Sequence, residues 1–226
     1  MSNQYIICGI GTDCGKSVVS VLLYDYLKKR TKPEPILVKP VQTGAALDTD
    51  FYQACQINRQ NIFNFYTMTL ETSIHTASHL AEKTIDVDQM VHETVSLQTK
   101  NRPLLLELAG GLMSPLNETT LMIDFVEALQ LPVIVVVDNY LGAINHALLT
   151  TEALKNRGIP IAGLINNTSK KENAYDQTSL EIITGYTGLS VIGRVPYLTK
   201  IEDQLTEPDK KSELVKEWQL NVSQAN

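Results

Sequence analysis

The residues best suited to chemistry lie in Gly9-Ile10-Gly11-Thr12-Asp13-Cys14-Gly15-Lys16-Ser17, directly after the short apolar stretch Tyr5–Cys8. A glycine-rich turn that enters a helix offers successive backbone N–H groups to an anion, and the helix dipole adds positive potential there. In such a P-loop the lysine reaches the terminal phosphates of a nucleotide and the following hydroxyl sits on a magnesium ion. Lys16 and Ser17 occupy those positions. Gly9 and Gly15 enclose five residues, one more than the usual four. An ordinary glycine-rich turn is the plain alternative. The strand before the turn and the amphipathic pattern after it favour phosphate binding.

Other chemistry-bearing residues follow short apolar runs. Ile36–Val38 leads into Lys39-Pro40-Val41-Gln42-Thr43-Gly44, which sets an ammonium and a hydroxyl at a strand end, where a surface lysine with turn chemistry is the plainer reading. Leu104–Leu106 leads into Glu107-Leu108-Ala109-Gly110-Gly111, and a carboxylate ahead of two glycines suits a magnesium ligand. Asp138, at the end of Val133–Val137, fits the generic pattern of apolar residues then Asp better, and pattern alone leaves both open. Gly110 and Gly111 favour Glu107, because they let backbone approach a ligand. After Asp138, the segment Asn139–His146 opens a helix whose free N–H groups form a second anion site or a plain first turn. Asn166 and Asn167 end Ile161–Ile165 and offer donor and acceptor to an adenine edge, or simply make a turn. His75 and His79 are spaced i,i+4 but lack the Glu of H-E-x-x-H, so no metal is read there.

The elements that must hold these residues are legible as apolar bursts at Tyr5–Cys8, Ile36–Val38, Leu104–Leu108, Val133–Val137, Ile161–Ile165 and Val191–Val195. Each is short and does not alternate, as expected of strands buried on both faces of a parallel sheet. Helical patterns are predicted at 16–30, 86–99, 119–130, 143–157, 173–187 and 210–219, and residues 59–85 read as an irregular excursion. Alternating strands and helices imply right-handed crossovers. The expected fold is a single α/β domain over 1–226, a doubly wound, mostly parallel sheet with helices on both faces, of P-loop NTPase type. Ligands in such sheets collect at the carboxyl ends of the strands.

The net charge of −6 gives no electrostatic footprint for nucleic acid or an anionic membrane. Cys8, Cys14 and Cys55 cannot all pair and none has C-x-x-C spacing, which points to free thiols in a reducing compartment. The apolar run Leu131–Val137 is too short to span a bilayer, and no signal peptide is read at the N-terminus. The expected location is the cytoplasm.

Taken in order, Gly9–Ser17, Lys39–Gly44, Asp50, Glu107–Gly111, Leu141–Asn145 with His146, Gly163–Asn166 and Val195–Leu198 resemble the dethiobiotin synthetases over nearly the whole chain. The five-residue P-loop gap is a feature of that family. The resemblance implies that carbon dioxide and 7,8-diaminononanoate form a carbamate, which ATP phosphorylates and the second amine closes to a cyclic urea. It implies Lys39, Lys16 and Thr12 as the catalytic set, with Lys39 holding the carbamate and γ-phosphate. Asp13, Cys14, Gly15, Lys16, Ser17 and Val18 would wrap the phosphates, together with Gly110. Ser17, Asp50 and Glu107 would hold Mg2+. Asn166 and Asn167 with Pro196, Tyr197 and Leu198 would frame adenine, with Glu202 or Asp203 near the ribose. Thr43 would contact the diamine, and Leu141, Gly142, Ala143, Ile144 and Asn145 would cradle its carboxylate. A homodimer would complete that cradle, with Tyr175 a further contact.

The chain departs from the family pattern at Leu108, where Gly is usual and a side chain is expected to crowd the phosphate side, at Ile74 for a common Pro, and mildly at Cys14. Two rival readings remain at this stage. A related amidoligase usually carries an extra glutamine-hydrolysing domain, for which this chain is too short. A partner-regulated switch ATPase usually has a second, early P-loop lysine, and here Gly9, Ile10 and Gly11 occupy that region.

Overall fold

The computed structural model describes residues 3–99, 101–171 and 176–220. The strands are β1 (Gln4–Gly9), β2 (Ile36–Thr43), β3 (Ile62–Met68), β4 (Leu104–Gly111), β5 (Val133–Asp138), β6 (Ile161–Asn167) and β7 (Val191–Val195). They form a seven-stranded sheet in the order β3-β2-β4-β1-β5-β6-β7. All the pairings are parallel. The helices are α1 (Lys16–Lys28), α2 (Asp48–Ala54), α3 (Ile74–Leu80), α4 (Val87–Gln98), α5 (Met122–Leu129), α6 (Ala143–Asn156), α7 (Asp176–Thr187), α8 (Ile201–Thr206) and α9 (Pro208–Val215).

This is a doubly wound α/β fold that reverses at β1 and β4: the chain builds outward through β2 and β3 on one side, returns to insert β4 between β2 and β1, then builds through β5, β6 and β7 on the other side. Every residue of β1 and β5 is buried, as their unbroken apolar runs require. Helix α1 packs Val19, Leu22, Leu23 and Leu27 fully out of water. Each such side chain contributes about 1.5–3 kcal/mol of hydrophobic stabilisation. That anchorage fixes the crevice at the carboxyl end of β1, where ligands of open α/β sheets bind.

The excursion expected over 59–85 is instead ordered as β3 and α3. β3 is an edge strand paired with β2 alone, so most of it is half-buried and lacks the continuous apolar run of its neighbours. Asn64 interrupts the pattern and donates from Nδ2 to the Lys39 carbonyl at 2.7 Å. Helix α2 is too short for a helical period to show in the sequence, and α8 is shorter still. The C-terminal segment closes over α1 and β7. Trp218 stacks at 6.2 Å from Tyr26 and donates to the Arg194 carbonyl. Gly193 makes room for it, since a Cβ there would lie 2.8 Å from the indole.

Candidate active site

The P-loop is held open by two glycines that admit no side chain. Gly15, the N-cap of α1, has φ 87°, and a Cβ there would lie 2.1 Å from the Asn167 amide. Asn167 donates from Nδ2 to the Cys14 carbonyl at 3.1 Å, so the end of β6 clamps the loop. A Cβ on Gly9 would lie 2.3 Å from Cys14 Sγ. Cys14 is thus packed beneath the loop, and burial raises its thiol pKa. Lys16 Nζ folds across the loop and donates to the Gly11 carbonyl at 2.8 Å.

Beside the loop lies a cavity of about 910 Å³, lined among others by Thr12, Asp13, Gly15, Lys16, Ser17, Val18, Lys39, Thr43, Asp48, Glu107 and Gly110. At its floor Glu107, fully buried, accepts four hydrogen bonds or ion pairs. Oε1 faces Lys39 Nζ at 2.8 Å and Ser17 Oγ at 2.9 Å. Oε2 accepts from Ser20 Oγ at 2.5 Å and Tyr52 Oη at 2.5 Å. Lys39 also pairs with Asp48 Oδ2 at 2.7 Å, and Ser17 Oγ lies 2.5 Å from Asp48 Oδ1. Burial alone would lower the Lys39 pKa, but the carboxylates of Glu107 and Asp48 raise it overall. For Asp48, burial works towards neutrality and the Lys39 ammonium outweighs it, leaving the pKa below the usual value. Burial, with Glu107 and Asp48 adding to it, holds the Tyr52 hydroxyl well above the usual tyrosine range, so Tyr52 acts as a donor.

These contacts fit a hard divalent cation. Ser17 has one proton yet lies against two carboxylates, and its remaining lone pairs are available to a metal. Ser17, Asp48 and Glu107 form an all-oxygen set, the kind magnesium takes. Among the described residues, no cluster of three His, Cys, Asp or Glu side chains would hold a metal unaided. A cation here therefore needs the Ser17 hydroxyl and oxygens from a bound phosphate.

The position expected for Asp50 is corrected by this geometry. Asp50 lies on the exposed side of α2, away from the cluster, while Asp48 makes the contacts with Ser17 and Lys39. The buried face of α2 is set by Thr49 and Tyr52, and Asp48 is one turn before Tyr52. Leu108, expected to crowd the phosphates, is fully buried and does not line the cavity. Ile74 does line it, at the start of α3, whose N-cap is Ser73. Asp138 is engaged elsewhere: it accepts from Asn139 N, Ser169 N and Ser169 Oγ, tying β5 to the chain beyond β6. Sequence reasoning missed Asp48, Ser20 and Tyr52. The signal available for the first and last was their i,i+4 spacing.

The remaining expected residues lie around the loop. Asn166, at the end of β6, is buried, and its Oδ1 has no hydrogen-bond partner among the described residues. Pro196, Tyr197 and Leu198 follow β7 and do not line the main cavity, whereas Glu202, carried on α8, does and Asp203 does not. Thr43 donates to the Thr72 carbonyl, and both residues line the cavity. Leu141, Gly142, Ala143, Ile144 and Asn145 open α6 outside the cavity. Gly142 is the N-cap at φ 104°, and Leu141 is fully exposed. Tyr175 lies outside the described residues.

Comparison with known proteins follows the same lines. A family model described as an AAA domain matches residues 3–205. The ATP-dependent dethiobiotin synthetase BioD of Halalkalibacterium halodurans is 34% identical, over 95% of this chain and 93% of that protein. The protein of the same name from Lysinibacillus sphaericus is 35% identical over 88% of this chain and 89% of its own. Among solved structures, a ParA family ATPase from Chlorobium tepidum superposes with a TM-score of 0.59 at 11% identity, over 96% of this chain and 92% of the other. The MinD cell division protein of Aquifex aeolicus gives 0.57 at 14% identity, over 94% and 90%. Those two likenesses are of fold alone.

Proposed function

The chain belongs to the family of ATP-dependent dethiobiotin synthetases, and we propose that it converts 7,8-diaminononanoate, carbon dioxide and ATP to dethiobiotin, ADP and phosphate in the cavity beside the P-loop. The observation that carries this reading is the convergence of Lys16 from the loop and Lys39 from β2 on one cavity that also holds Ser17, Asp48 and Glu107. Phosphoryl transfer needs positioned charge more than covalent help from the protein, and this cavity supplies positioned charge.

In this reading one amine of the substrate adds to carbon dioxide to give a carbamate. A carbamate oxygen attacks the γ-phosphorus, ADP leaves, and the second amine then attacks the activated carbonyl and expels phosphate. Lys16 offsets charge on the transferring phosphoryl oxygens, as backbone N–H groups of the loop do for the other phosphates. Thr12 lines the cavity beside the loop. Lys39 turns from its carboxylate partners to hold the carbamate against the γ-phosphate. Ser17, Asp48 and Glu107 would hold the magnesium ion, which when bound neutralises phosphate charge. Asn166 meets the adenine edge with its unpartnered oxygen turned to an exocyclic amine, and Pro196, Tyr197 and Leu198 border the same ring.

The test is product formation: ADP release and a cyclic urea product that require the diamine and bicarbonate together support the synthetase. ADP release indifferent to both, and stimulated by protein or lipid, would support a switch ATPase instead. A sharper expectation concerns the metal. Asp48→Asn should raise the magnesium concentration needed for half-maximal turnover by about tenfold, a typical penalty for disturbing a metal site. Asp50→Asn should leave it nearly unchanged. The opposite ranking, read from magnesium titrations of both variants, would return the role to Asp50.

The exposed start of α6 supports a two-fold assembly. A substrate with a carboxylate at the far end of an apolar chain needs an anion site beyond the nucleotide, and the first turn of α6 after Gly142, where Ala143 N donates to the Tyr140 carbonyl and the N–H groups of Ile144 and Asn145 follow, supplies one. That turn lies outside the cavity of its own chain, so it serves the cavity of a second copy, and a two-fold axis makes both sites equivalent. Gly142→Val should weaken diamine binding and leave ATP affinity nearly unchanged. Sedimentation showing a fully active monomer would exclude the shared site. The buried free thiols of Cys8, Cys14 and Cys55 accord with a cytoplasmic protein, and no helix among the described residues is long and apolar enough to cross a membrane.

A further inference from the structure

We propose that Tyr52, acting with Ser20, is a positioning residue that fixes the orientation of the Glu107 carboxylate, so that one oxygen stays turned towards the cation of the nucleotide complex. The proposal rests on the reading that Ser17, Asp48 and Glu107 hold that cation. Glu107, Ser20 and Tyr52 are all completely buried, so no water takes over a bond that is broken. The two hydroxyls both donate to Oε2, at 2.5 Å each. Oε1 is left to face Ser17 and Lys39.

The terminal torsion of a glutamate is broad and roughly two-fold. On its own, Glu107 would present either oxygen, or both at an intermediate angle. Two donors on one oxygen remove that freedom: a half-turn only exchanges two equivalent oxygens, whereas any intermediate angle would break both bonds. The donors also come from different elements: Ser20 from α1 and Tyr52 from α2. Glu107 is thereby held against the same two helices that bring Ser17 and Asp48. On α2, Tyr52 stands one turn after Asp48, so a single face of a seven-residue helix delivers a carboxylate to Ser17 and a hydroxyl to Glu107. A phenylalanine would fill the same space as Tyr52 without the bond.

A purely structural role for the hydroxyl would also satisfy Oε2, so the test must read the metal and not stability or rate. ADP affinity is measured by calorimetry with magnesium and again with EDTA, on the wild-type chain and on Tyr52→Phe and Ser20→Ala. The ratio of the two affinities reports the contribution of the cation. For Tyr52→Phe the ratio should fall by about tenfold, as for other residues that orient metal ligands, while affinity in EDTA stays the same. Ser20→Ala should move the ratio in the same direction, and stands in if Tyr52→Phe fails to fold. Variants that melt earlier but keep the wild-type ratio would overturn the positioning role and leave the cation site intact. A wild-type ratio of one would overturn the cation reading and this proposal with it.

Discussion

Lys39→Gln is expected to lower turnover by about 10²–10³-fold, the range seen when one preorganised charge-stabilising donor is removed. Its ammonium is buried between Glu107 at 2.8 Å and Asp48 at 2.7 Å. Both carboxylates raise its pKa, so it stays charged where the reading needs a charge, between carbamate and γ-phosphate. Glutamine keeps a donor and most of the length but not the charge. Without it, Glu107 is a buried carboxylate with no cation, and breaking a buried pair from one side costs about 3–5 kcal/mol. Thermal stability should therefore drop, and magnesium with nucleotide should restore much of it by returning positive charge to the same place. Nucleotide affinity should be largely kept, because the P-loop does not depend on Lys39. Single-turnover rates, nucleotide titration and melting with and without magnesium separate these effects. A collapse of ATP affinity with little change in rate for bound substrate would make Lys39 a nucleotide-binding residue only.

The parts of this molecule that were readable in sequence are those set by local pattern. The apolar runs of β1, β4 and β5 are buried throughout, so composition alone marks them. The P-loop is readable because one short stretch contains all its parts. Glu107 and Asp138 show where pattern ends. Both end apolar strands, and only the fold reveals that Asp138 is committed to Ser169 while Glu107 meets Ser17, Ser20, Lys39 and Tyr52. The Glu107 contacts join residues 55 to 90 positions apart and leave no mark within any window of sequence.

Asp48 and Asp50 make the point more sharply. Residues two apart on a helix face nearly opposite directions, so one of the two acids had to miss the cluster. Which one depends on how α2 docks, and that is set by burial of Thr49 and Tyr52. The edge strand β3 was hidden for a different reason. With one neighbour instead of two, it needs no unbroken apolar run, and its Phe63-Asn64-Phe65 pattern is ambiguous between strand and loop.

Lys16→Ala should lower turnover at saturating ATP by about 10²–10³-fold while leaving the fold intact. The Lys16 ammonium caps the Gly11 carbonyl at 2.8 Å and lies 3.9 Å from Cys14 Sγ. Among the described residues it makes no ion pair, in contrast to Lys39 with its two carboxylates. Truncation removes one hydrogen bond to a backbone carbonyl, worth about 0.5–1.5 kcal/mol net, or somewhat more for a charged donor. The hydrophobic face of α1 is untouched. The loss to catalysis is larger, because a cation next to the γ-phosphate acts on charge that spreads over its oxygens as the bond to ADP breaks. About 3 kcal/mol of barrier is the expected scale for one such group, and the loss of nucleotide affinity adds to it at limiting ATP. The two parts separate in a titration: at saturating ATP the residual rate reports the barrier alone, and the ratio of rate to half-saturating concentration reports both. A melting temperature close to wild type with both quantities reduced is the expected result. Near-normal turnover at saturating ATP would mean that the phosphates do not bind where the loop and α1 meet, and the assignment of the cavity would fall with it.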